Sequence, residues 1–118
     1  MEVYNESSKE LIVQNVKVAN TFYSRLCGLM FQKELPIGEA LLIKKCNSIH
    51  TFFMFFCIDV IFINKNNRVI AIYENLKPFK VILPIKNAVA VIELPANTVC
   101  EKVRKGDILV LKNNTKKD

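Results

Sequence analysis

Glycine is scarce in this chain: three in 118 residues, with neither a G-x-x-x-x-G-K nor a G-x-G-x-x-G pattern. Loops that cradle nucleotide phosphates need such glycines, so that class of site is not expected. The four cysteines, at 27, 46, 57 and 100, form no C-x-x-C pair and no regular spacing. The N-terminal MEVYNESSKE has neither a basic n-region nor an apolar h-region, so no secretory signal is expected. The cysteines therefore read as free, buried thiols of a cytoplasmic protein, with no structural metal, disulfide or cofactor. A stretch without Lys, Arg or Glu runs from Cys46 through Ile63, but its apolar part is too short to span a bilayer and carries His50 and Asp59. Arginine is rare too, three against 14 lysines, although the formal charge is +6. The lysines are scattered. Scattered lysine attracts polyanions weakly and reads no nucleic-acid sequence.

What is present is apolar and β-prone. Hydrophobic residues make up 51% of the chain, enough for a core, and the length suits one domain. Strands are expected at 10–18, 40–44, 68–73, 88–94 and 108–112, with one or two more within 51–63. NKNN at 64–67 reads as a hairpin loop, and KGD at 105–107 as a tight turn. Residues 75–84 hold two prolines and read as an irregular loop. Asn20 suits a helix N-cap, and Phe22, Leu26, Leu29 and Met30 follow at helical spacing, so one short helix is expected at about 21–30. A single helical turn is expected at 99–103, and the polar tail 113–118 should fray. Many short strands with one helix predict a mainly β domain: a small barrel or sandwich of mostly antiparallel strands.

The stretch CNSIHTFFMFFCIDVIFI, residues 46–63, is the most informative. It reads as buried strand, with Phe52, Phe53, Phe55 and Phe56 in the core. His50, Thr51 and Asp59 interrupt it. A buried carboxylate costs several kcal/mol unless it is paired. Asp59 therefore needs a partner, and two arginines are plausible: Arg68 across the 64–67 hairpin, or Arg25 on the short helix. Arginine suits this because its fork holds a carboxylate bidentately.

The motifs RLCGLM at 25–30 and HTFFMFFCIDVIFI at 50–63 resemble the domain-of-unknown-function family number 192. RVIAI at 68–72, VIELPA at 91–96 and KGD at 105–107 fit in the same order, so the resemblance covers about residues 11–112. Residues 46–51 match a subtype reading C-x-S-[IV]-H-T. The resemblance implies a compact β-rich domain and no established activity.

Three constellations remain open. Arg25 and Asp59 form either a structural ion pair or an anion site in which Asp59 orients the guanidinium. Cys46, His50 and Met54 share strand parity and are soft ligands, yet residues four apart on a strand are roughly 13 Å apart, too far for one metal. His50 could instead activate Cys46 as a nucleophile, oriented by Asp59. The leading expectation is a non-enzymatic ligand- or peptide-binding module. Its site would lie near His50, Thr51 and Arg25, and its partner would be a small anion or peptide. The alternative is a small hydrolase or thiol enzyme using His50 with Cys46.

Overall fold

A computed structural model of the chain describes residues 1–19, 21 and 28–113. Ten strands supply their regular structure: β1 (Glu2–Asn5), β2 (Glu10–Val13), β3 (Asn15–Ala19), β4 (Glu39–Lys44), β5 (Ile49–His50), β6 (Ile58–Ile63), β7 (Val69–Leu76), β8 (Val81–Ile82), β9 (Ala90–Pro95) and β10 (Leu109–Lys112). The protein is mainly β. Every strand pair is antiparallel except β3 with β4.

A five-stranded sheet in the order β3-β4-β9-β6-β7 forms the centre. Two of its three inner strands, IDVIFI and AVIELP, are buried at every position. Cover on both faces explains why they read as continuous apolar runs rather than alternations. Strand parity then divides the core in two. Ile61, Ile63, Ile92 and Leu94 face one side and pack with Val3, Val13 and Leu109 of the three-stranded sheet β10-β1-β2. Val60, Phe62, Val91 and Ile43 face the other, joined by Leu29, Met54 and Ile49 of the β5-β8 ribbon.

The sheets are layered, and the closed barrel among the expected architectures is not formed. Among the described residues an isolated bridge, Arg68 to Ile108, and a bond from the Val16 amide to the Met1 carbonyl link the two larger sheets. The strand expected at 10–18 is broken at Gln14. β2 pairs with β1, whereas β3 pairs with β4. Ile12 and Val13 before the break and Val16 after it are all buried in one core cluster.

Strand structure within 51–63 begins only at Ile58. Residues 51–57 form a turn and loop, with Phe53 in the left-handed region at φ 63°. Thr51 and Met54 are buried there, at 0% and 3% exposure, and Phe56 packs against the core, while Phe52, Phe53 and Phe55 are exposed at 39%, 50% and 65%. Of the four phenylalanines expected in the core, Phe56 packs against it and the other three form an exposed aromatic loop. Residues 99–103 form turns rather than a helical turn, with Cys100 and Glu101 both at positive φ. The 75–84 loop is partly ordered, since β7 runs to Leu76 and β8 lies within it. The 64–67 hairpin and the 105–107 turn form where expected, with Asn67 at φ 62° and Gly106 at φ 98°. Most of the helix expected at 21–30 and nearly all of the tail lie outside the described residues; Gly28–Phe31 is a turn. No helix among the described residues is long and apolar enough to cross a membrane.

Candidate functional site

A pocket of about 480 Å³ opens between the central sheet, the 28–30 turn and the β5-β8 ribbon. Leu29, Ile43, Ile49, Met54, Ile82 and Leu83 supply most of its wall, and His50, Cys46, Ser48 and Glu93 supply its polar groups. No lysine or arginine is among the described lining residues. Its size falls within the usual range for small-molecule sites.

Glu93 is the unusual member. It sits mid-strand in β9, opposite Leu41 of β4 and Val60 of β6, with its side chain on the pocket face of the sheet. It is 2% exposed, and its Oε1 has no hydrogen-bond partner among the described residues. Burial without a compensating charge pushes its carboxyl up to about 8. Gly28 lies close beside it: a Cβ there would make ordinary contact with Oε1 at 3.8 Å. The sequence reading passed over Glu93. The signal was available: a single charge inside AVIELP, as isolated as Asp59 is inside IDVIFI.

Cys46, His50 and Met54 do share the pocket, but not through strand parity. The chain bends before and after the two-residue β5, which gathers them around one space. His50 Nδ1 accepts a hydrogen bond from the Phe52 amide at 3.1 Å, leaving Nε2 to carry the proton of the neutral ring. The ring stacks on Phe52 at 5.4 Å. The Cys46 thiol donates to the Ser48 carbonyl at 2.9 Å.

Thr51 does not join them. It is fully buried, does not line the pocket, and braces the 77–80 loop. Its Oγ1 donates to the Lys77 carbonyl at 2.7 Å and accepts from the Lys80 amide at 2.8 Å. His50 and Thr51 are consecutive, and in β structure consecutive side chains take opposite sides.

Asp59 is fully buried, and backbone amides hold it; among the described residues no arginine reaches it. Oδ1 accepts from Asn75 N and Oδ2 from Val99 N, each at 2.9 Å. Arg68 is turned elsewhere, donating to the Gly106 carbonyl at 2.7 Å. Loop backbone reaches a strand-end carboxylate without the entropy cost of ordering a long side chain, and two amides satisfy one oxygen each. Arg25 and Cys27 lie outside the described residues. Of the other cysteines, Cys57 is half-buried and Cys100 is exposed rather than buried. Among the described residues no three His, Cys, Asp or Glu side chains cluster as metal ligands would.

Residues 3–111 match the family DUF192, described as Uncharacterized ACR. A UPF0127 protein of Pyrococcus horikoshii is 36% identical over 100 residues, covering 79% of this chain and 83% of that protein. The fold is similar to a crystal structure of a protein of unknown function from Novosphingobium aromaticivorans, with a TM-score of 0.79 at 23% identity, covering 93% of this chain and 82% of the other. It is also similar to a putative transcription regulator from Sinorhizobium meliloti, with a TM-score of 0.78 at 22% identity over 92% of this chain and 89% of the other.

Proposed function

This chain belongs to DUF192, a family of uncharacterized proteins, and from its own pocket we propose that it is a small non-enzymatic binding module for a compact, mostly apolar ligand. The observation that carries the reading is a cavity of about 480 Å³ with mostly apolar walls and four polar residues set into them: His50, Cys46, Ser48 and Glu93. Apolar walls supply affinity, and a few placed polar groups supply orientation. The surroundings favour the same class of ligand. Phe52 stacks on His50, Phe31 stacks on Phe53 at 5.3 Å, and Phe52 meets Phe79 at 6.4 Å, so an exposed aromatic collar adjoins the pocket. A small anion has less support, because the described lining offers a carboxyl and no cation.

Spectra of the ¹⁵N-labelled protein, titrated with apolar small molecules, short peptides and small anions, test this. The expected result is that apolar molecules shift the amides of Ile49, His50, Met54, Ile82 and Glu93. His50→Ala should stay folded and bind more weakly. Shifts confined to other surfaces would sink the reading.

A thiol enzyme is the second reading, favoured by the presence of Cys46 and His50 in one pocket. Against it, each is engaged by backbone: the thiol on the Ser48 carbonyl and the imidazole on the Phe52 amide. A Cys46→Ala variant that keeps its ligand affinity would favour the binding module; a covalent adduct formed on Cys46 by a thioester or activated ester probe would favour the enzyme.

A further inference from the structure

We propose that the pocket selects an apolar molecule carrying a primary ammonium group, with the Glu93 carboxylate as its acceptor. The inference rests on the pocket being a binding site and names its ligand class. A glutamine or leucine would fill the same volume in β9 without placing an acid in an apolar environment. Burying the acid is offset only when a cation arrives, because the charged form then gains a partner in a medium of low dielectric. The described residues supply no such cation. Glu93 Oε1 has no hydrogen-bond partner among them, and no lysine or arginine lines the described pocket wall.

Among the described residues, the immediate neighbours of Glu93 are apolar. Leu41 on β4 and Val60 on β6 are its neighbours across the sheet, and Leu29 and Gly28 come from the turn. Asp59, on β6 beside Val60, belongs to the opposite face with Ile61 and Ile63. Glu39 stands at the start of β4 and Lys44 at its exposed end, and neither lines the pocket. His50 and Cys46 are the other titratable groups in the lining, each already bonded to backbone. Among the described residues the geometry therefore offers one buried carboxyl acceptor beside an apolar space, which suits an alkyl chain ending in –NH₃⁺. A quaternary ammonium fits less well, having no N–H to donate.

Binding carries a proton signature. Below the raised carboxyl range near 8, free Glu93 is protonated, and an arriving ammonium forms its ion pair only after Glu93 has released that proton to solvent. Up to one proton is released per ligand bound, and the ammonium keeps its own. Apparent affinity should therefore rise about 50-fold from pH 6 to pH 8 and flatten above that.

Calorimetric titration of the whole chain with n-hexylamine, n-hexanol and hexyltrimethylammonium tests the proposal. The expected result is that hexylamine binds tightest at pH 8, loses affinity about 50-fold at pH 6, and releases a proton in buffers of differing ionisation enthalpy. Hexanol should bind with no such pH dependence, and Glu93→Gln should reduce hexylamine to the level of hexanol. Equal affinities for hexylamine and hexanol at pH 8, or hexylamine binding independent of pH, would overturn the ammonium inference and leave the pocket reading standing. Binding of none of the three would overturn both. The wild-type pH series decides the matter even if the variant fails to fold.

Discussion

Two acids lie on adjacent strands of the same sheet, and the fold treats them oppositely. Asp59 on β6 and Glu93 on β9 are both buried, one residue out of register and on opposite faces. Asp59 has one backbone amide on each oxygen. Glu93 has an oxygen with no partner among the described residues, beside a cavity. A satisfied buried carboxylate ties loops to a sheet. An unsatisfied one costs stability, and such a cost is retained where a ligand or reaction makes use of it.

The largest effect that distinguishes the two should come from Asp59→Ala. It orphans the Val99 and Asn75 amides, and each charge-assisted bond contributes roughly 1.5–3 kcal/mol, so a loss of roughly 3–6 kcal/mol is expected by urea denaturation. A change near zero would show that these amides find water instead.

Glu93 should act with the opposite sign. Its folded carboxyl stands at about 8 against an ordinary 4.5, so the native state holds one more proton than the unfolded chain between those values. Stability is then full below pH 4.5 and falls as pH rises toward 8, by roughly 3–5 kcal/mol. Glu93→Gln should flatten that slope and be the more stable protein at pH 8. Melting curves at pH 5 and pH 8 measure both, and a flat wild-type profile would mean that water or a cation reaches the carboxyl.

A finer contrast lies within one dipeptide. Thr51→Val removes two bonds to the 77–80 loop and leaves the Lys80 amide without its acceptor, which should cost about 2 kcal/mol. His50→Ala, at a half-buried site, should cost less than about 1 kcal/mol and show its effect in ligand binding instead. The smallest change is expected at Phe55, 65% exposed, where Ser should shift stability by no more than about 0.5 kcal/mol.

How far these outcomes were readable from residues alone differs by element. The runs IDVIFI and AVIELP announced buried strands, and NKNN and KGD announced their turns. His50 was marked because it is polar in an apolar stretch, and it does line the pocket. The same argument applied to Thr51 failed, because polarity reports the need for a partner and not its direction. Phe52, Phe53 and Phe55 read as core from hydrophobicity alone, yet a turn at Phe53 carries them outward.

Local chemistry determined where the chain must turn, which runs must be buried and which side chains needed partners, because burial energies and backbone sterics act on residue types wherever they stand. Which partner each received was a tertiary decision. Hydrogen bonds join atoms that the fold brings within about 3 Å, whatever their separation in sequence. Val99 lies forty residues from Asp59, and its amide still reached that carboxylate. Nothing among the described residues reached the Oε1 of Glu93, and the space beside it became the pocket.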